Sequence, residues 1–141
     1  MKLAIISDVH ANLTALQAIL KKVEHYKVDK FILLGDLINY GMRPNEVVEL
    51  VKSMDDRFIV KIWGNHEKAT LDNDTTSFST DRGRAILHYT QGILSQESLC
   101  YIKNKMNPEG ICSIMINGKK FLMVHGILGD PFWANSHYQN L

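Results

Sequence analysis

Lys2-Leu-Ala-Ile-Ile-Ser-Asp-Val-His10 decides how this chain is read. An apolar run ends in two strong metal-ligand side chains, Asp8 and His10, one residue apart. The run lacks alternation, as expected of a strand covered on both faces. Three later stretches have the same form. Phe31-Ile-Leu-Leu-Gly-Asp36 ends in a carboxylate, and Phe58-Ile-Val-Lys-Ile-Trp-Gly-Asn-His66 ends in an amide and an imidazole. Lys120-Phe-Leu-Met-Val-His-Gly126 ends in an imidazole. Polar ligands at the carboxyl ends of four strand-like runs predict one site at one edge of one sheet.

The intervening segments supply the crossovers. Asn12 can cap a helix whose stripe is Leu16, Ile19, Leu20 and Val23, ending near His25. Pro44 suits the first turn of a second helix, with Val47, Leu50, Val51 and Met54 inward. Strands at 2–6, 31–34 and 58–62 then form β-α-β-α-β, which predicts parallel strands and right-handed crossovers. In such sheets the crevice beyond the carboxyl ends is the usual site. Residues 67–79 read as a short helix and an open, polar loop. A helix over 80–93 is expected with Ile86, Tyr89 and Ile93 inward, weakened by Gly83 and Gly92. Ser95 can cap a further helix. Residues 111–116 and 119–124 flank Asn117-Gly118, a hairpin signal.

The 141 residues suit a single domain, 1–141, with a core of its own. Hydrophobic residues make up 45% and charged residues 22%, ordinary proportions for a globular protein. A net charge of +1 gives no broad attraction to nucleic acid, and no basic stripe with interleaved aromatics is present. No apolar run reaches the roughly 18 residues of a membrane span, and the N-terminus reads as a strand rather than a signal peptide. Cys100 and Cys112 read as buried free thiols in a reducing compartment, with a disulfide left open. The expected location is cytoplasmic.

Asp8 and His10 can both point at one ion from a strand-end turn. Asp36 would end a neighbouring strand roughly 5 Å away, where its two oxygens can bridge two ions. Asn65 offers a carbonyl oxygen and His125 an imidazole nitrogen. Mixed N and O ligands without thiolate suit two divalent ions, manganese first, with iron, zinc or nickel as alternatives. Such a pair can clamp a phosphoryl group. His66 follows Asn65 directly and is placed to donate a proton to a leaving oxygen.

The chain resembles the calcineurin-like metallophosphoesterases. The motifs are Asp8-x-His10, Gly35-Asp36-(x)4-Gly41, Gly64-Asn65-His66-Glu67 and His125-Gly126. Ser7-Asp-Val-His-Ala-Asn-Leu-Thr-Ala-Leu16 and the Tyr40-Gly41-x-x-Pro44 loop look most like the small bacterial phosphodiesterase-like branch. The resemblance implies an α/β sheet-on-sheet core flanked by helices. It implies Asp8, His10 and Asp36 on one metal, Asp36, Asn65 and His125 on the other, and His66 as general acid. It also implies a small phosphodiester, nucleotide or phosphomonoester substrate.

Three departures stand out. The family's final Gly-His-x-His motif, one more ligand for each metal, is lacking. His137, in Asn135-Ser-His-Tyr138, has neither the glycine nor the paired histidine. Asn39 stands where many members have aspartate. Tyr40 stands where protein phosphatases carry a phosphate-gripping arginine, a role for which Arg43 is the substitute candidate. The resulting expectation is a C-terminally truncated domain whose incomplete sheet self-associates. A clean monomer over a wide concentration range in size-exclusion chromatography counts against that. The rival to a phosphoesterase is a non-catalytic metal-binding or interaction module of the same fold.

Overall fold

A computed structural model describes residues 1–133. Three strands, β1 (Leu3–Ile6), β2 (Lys30–Leu33) and β3 (Phe58–Lys61), form a parallel sheet in the order β1-β2-β3. Two helices make the crossovers: α1 (Leu13–His25) and α2 (Pro44–Ser53). Asn12 caps α1 by accepting the Ala15 N–H at 3.0 Å, and Pro44 opens α2. Then follow α3 (Asn65–Asp72), α4 (Asp81–Ile93) and α5 (Gln96–Lys105). The hairpin of β4 (Ile111–Ile116) and β5 (Lys119–Val124) is paired over all six residues. Asn117 and Gly118 turn it at φ 49° and 75°, as a tight primed turn requires.

The alternation of side chains along β2 divides the core in two. Phe31 and Leu33 face the helices and pack with Leu16, Val47, Val51 and Ile102. Ile32 faces the other way and joins Val60, Ile62 and Met123, with Cys112 and Ile114 against them. The hairpin therefore covers the second face. That cover is partial at β1, the outer strand. Leu3 packs beneath the hairpin, but Ile5 is 60% exposed. The strand over 2–6 is thus enclosed on one face and open on part of the other, against the expectation of full cover. Phe121, Leu122 and Met115 of the hairpin are exposed as well.

Two further expectations are corrected. On α4 the buried residues are Gly83, Leu87 and Thr90, while Tyr89 is exposed. The helix is turned by about one residue because Gly83 makes room for Phe78: a Cβ on Gly83 would lie 2.9 Å from the ring. The polar segment 72–79 is not an open loop. Asp74 accepts from the Thr76 N–H and from the Ser77 hydroxyl, shaping a 3-10 turn over Thr75–Ser77. That turn buries Phe78 with Ala69 and Leu87. No helix among the described residues is long and apolar enough to cross a membrane. Cys100 and Cys112 are free thiols, Cys100 exposed.

Candidate metal centre

Two loops at the carboxyl edge of the sheet carry most of the chain's left-handed backbone. Asp8, His10 and Ala11 follow β1 at φ 56°, 50° and 53°. Asp36, Asn39 and Tyr40 follow β2 at φ 54°, 68° and 62°. Non-glycine residues are strained there, by about 1–2 kcal/mol each. Backbone bonds between the loops hold this geometry. The Asp8, His10 and Ala11 N–H groups donate to the carbonyls of Gly35, Asp36 and Leu37 at 3.1, 2.9 and 2.8 Å. The Gly41 N–H donates back to the His10 carbonyl at 2.9 Å.

Glu67, fully buried on the first turn of α3, ties the β2 loop to the β3 loop. Its carboxylate accepts from the N–H groups of Asp36, Leu37, Ile38 and Gly64 at 2.7 to 3.2 Å. Burial, then the nearby Asp36 charge, push its pKa up to about 7, although the backbone donors oppose the rise. The motif Gly64-Asn65-His66-Glu67 contained this residue, but its role was missed. An acidic side chain three residues after a helix-opening glycine is a capping signal that could have found it.

The ligand candidates converge on Asp36. Its Oδ2 lies 3.4 Å from His125 Nε2, 3.8 Å from His10 Nε2 and 3.9 Å from His66 Nε2. Asp8 Oδ1 is 3.6 Å from His10 Nε2, and Asn65 Oδ1 is 3.0 Å from His125 Nε2. Two sets of ligand atoms lie within 4.8 Å of one another: Asp8, Asp36 and His125, and His10, Asp36 and His66, so Asp8 groups with His125 rather than with His10 as expected, and His66 joins a ligand set. All five sequence-derived ligand candidates therefore meet, and His66 stands with them. Arg43 lies apart, at the start of α2, in the wall of a cleft shared with Asp8 and His10. His137 lies outside the described residues.

The imidazoles are oriented as metal ligands are. His125 Nδ1 donates to the Leu34 carbonyl at 2.6 Å, and His10 Nδ1 faces the Ile38 carbonyl at 3.3 Å. Each thereby presents Nε2 to the carboxylates. Among the described residues no lysine or arginine pairs with Asp36; its partners are imidazoles. Two carboxylates, an amide oxygen and imidazole nitrogens suit divalent ions. The donor set fits the group.

Burial raises the Asp36 pKa, but the His125 hydrogen bond and the charges of His66 and His125 outweigh it and hold the carboxyl low. For His125 the balance runs the other way. Burial lowers it, the bond and charge of Asp36 raise it more, and it settles at about 9. His66 is pushed down to about 4, chiefly by burial, and is neutral near pH 7. As a metal ligand His125 would have to be neutral. Without metal that group is protonated at pH 7.5, below about 9, so loading must expel its proton. Calorimetric titration with Mn²⁺ at pH 7.5, in buffers of differing ionisation enthalpy, should show about one proton released per chain. His125→Ala should remove that proton. A heat independent of the buffer would refute the assignment.

His66 is held on three sides. Its backbone N–H donates to Asp36 Oδ1 at 3.0 Å, and Asn39 Nδ2 lies 3.1 Å from its ring Nδ1. The rings of His10, Tyr40 and Phe78 surround it at 4.8, 4.7 and 5.1 Å between centroids. The same Asn39 amide donates to Thr70 Oγ1 at 3.1 Å. A buried amide thus stands where many members of the resembled family have an aspartate, and it leaves its Oδ1 unpartnered among the described residues.

A parallel sheet bearing carboxylates, imidazoles and an amide on its carboxyl edge, backed by a hairpin, defines the calcineurin-like architecture. The chain belongs to the calcineurin-like phosphoesterase family, whose model matches residues 1–140. A metallophosphoesterase of Sphaerobacter thermophilus is similar in structure, with a TM-score of 0.68 and 34% identity. That match covers 94% of this chain and 49% of the other. A hypothetical protein of Pyrococcus horikoshii has the same fold, at a TM-score of 0.80 and 24% identity, covering 92% and 56%. An uncharacterised protein of Methanocaldococcus jannaschii is 31% identical over 123 residues, which are 87% of this chain and 48% of that protein. The chain spans about half the length of these relatives.

Proposed function

We propose that the chain is a phosphoesterase using two divalent ions, manganese first, to hydrolyse a small phosphodiester, nucleotide or phosphomonoester. The observation that supports this best is the orientation of His10 and His125. Both fix Nδ1 on a backbone carbonyl and aim Nε2 at the carboxylate they share, Asp36. Asp8, His10 and Asp36 would hold one ion, and Asp36, Asn65 and His125 the other. When bound, the ions supply Lewis acidity at phosphorus and a water acid enough to attack near neutral pH.

The chain's own groups supply the rest. Asn65 steadies charge on the phosphoryl oxygens, and Arg43 binds the substrate from the cleft wall. Asn39 donates to His66 Nδ1, which places the His66 proton on Nε2, the nitrogen that faces Asp36. Acting as general acid, the ring takes up a second proton and, as the imidazolium, gives its Nε2 proton to the leaving oxygen and ends neutral. Phe78 and Tyr40 keep the imidazole from turning away.

With Mn²⁺ the chain should hydrolyse bis(p-nitrophenyl) phosphate. His66→Ala should lower kcat by about 10²- to 10³-fold while the bound metal, counted by elemental analysis, stays unchanged. Turnover no higher than that of Asp36→Ala would reject the enzyme. Metal uptake without turnover would instead favour a metal-binding module of the same fold.

A further inference from the structure

Beside the metal centre lies a cleft of about 520 Å³, lined by Asp8, His10, Tyr40, Met42 and Arg43 among others. That volume is within the range of small-molecule sites. Tyr40 stands where the cleft meets the ligands. Its ring is edge-to-face with His10 and His66, at 4.9 and 4.7 Å between centroids. A tyrosine serving only to seal those imidazoles would be buried, yet Tyr40 is 48% exposed. Its hydroxyl bonds none of the described residues.

Tyr40 is also held against its own preference. A bulky residue at φ 62° is strained, and such strain persists only where the surroundings impose it. The bond from Gly41 N–H to the His10 carbonyl fixes the loop on the metal-ligand turn. A Cβ on Gly41 would come within 2.4 Å of that carbonyl, so the loop cannot relax outward around a larger residue. Met42 is 68% exposed beside it, and the Arg43 guanidinium forms no ion pair or hydrogen bond with the described residues. An aromatic ring, a thioether and an unpaired guanidinium line one cleft whose inner end is the metal centre. These groups recognise a flat heteroaromatic ring through stacking, sulfur contact and cation–π attraction.

We propose that the cleft selects nucleotide-type phosphoesters by stacking the base on Tyr40, with the phosphate at the metal centre and Arg43 at the rim. This rests on the reading of the centre as a phosphoesterase site and narrows its substrate class. Tyr40 would be the residue that sets specificity.

Binding tests it without turnover. Thymidine 5′-methylphosphonate and ethyl methylphosphonate carry the same monoanionic head, and only the first carries a base. The Mn²⁺-loaded chain should bind the thymidine compound about tenfold more tightly by calorimetry, the low end for one stacked base. Tyr40→Ala and Tyr40→Leu should bring the two affinities within twofold of each other. Tyr40→Phe should retain the preference. Equal affinities in the unmodified chain, no binding of either compound, or an equal loss of both in Tyr40→Ala would overturn the proposal. Hydrolysis of bis(p-nitrophenyl) phosphate, assayed in parallel, separates the two readings. Turnover without base preference removes only the nucleotide subsite; base preference without turnover removes only the hydrolase.

Discussion

Glu67→Ala should cost the chain about half its stability. The substitution leaves four buried backbone N–H groups without their acceptor and opens a cavity under the β2 loop. Each orphaned donor costs about 1–3 kcal/mol, and water entering the cavity recovers part of it. A net loss of about 5 kcal/mol is expected, against a total near 10 kcal/mol for a domain of this size. In thermal unfolding that is a fall in Tm of about 15 °C. Glu67→Gln keeps the shape and one acceptor oxygen, so its loss should be about half as large. An alanine variant within a few degrees of the parent would show that the loops are held by something other than this carboxylate.

Asp36→Ala should have the largest effect on the metal centre. This one carboxylate belongs to both ligand sets, and its other oxygen accepts the His66 N–H. On the two-ion phosphoesterase proposed above, its removal should take the metal content to none and reduce hydrolysis to background. The metal-free protein gives an independent readout. Asp36 is what holds His125 up near 9. Without it, burial dominates, and the His125 imidazole signal in NMR should titrate at a much lower pH. The sign matters for stability too. A raised imidazole stabilises the fold at low pH, and that contribution fades as pH rises through about 9. In Asp36→Ala the fading should be absent. Full metal content in this variant would mean that the two ligand sets do not share Asp36.

The strand-end ligands were legible because a parallel sheet converts sequence position into place. An apolar run ending in Asp, Asn or His has only one edge on which to put it, and β1, β2 and β3 follow that rule. His125 required more than the rule. It follows a hairpin strand, and only the packing of that hairpin on Ile32 and Val60 brings it to Leu34. What the sequence concealed has other causes. Glu67 carries a capping signal for its own helix, but its reach to the N–H groups of the β2 loop leaves no signature in the sequence. Phe78 sits among polar residues, so its period is lost; its docking on His66 depends on the space above Gly83. Ile5 appeared enclosed because an apolar strand does not announce how far its cover extends; the hairpin reaches Leu3 and not Ile5.

Gly35 and Gly64 bear on how such a centre tolerates change. A Cβ on Gly35 would fall 2.3 Å from the Gly64 nitrogen, and one on Gly64 would fall 2.1 Å from Asp36 Oδ1. The two ligand loops therefore touch main chain to main chain, with no side chain as spacer. The gauge of the centre is set by this close backbone contact together with the Glu67 carboxylate that bridges the same loops. Helix faces and core residues away from these loops and from Glu67 can change without entering that contact. The price of that independence is confined to two positions, where even a methyl group is too large.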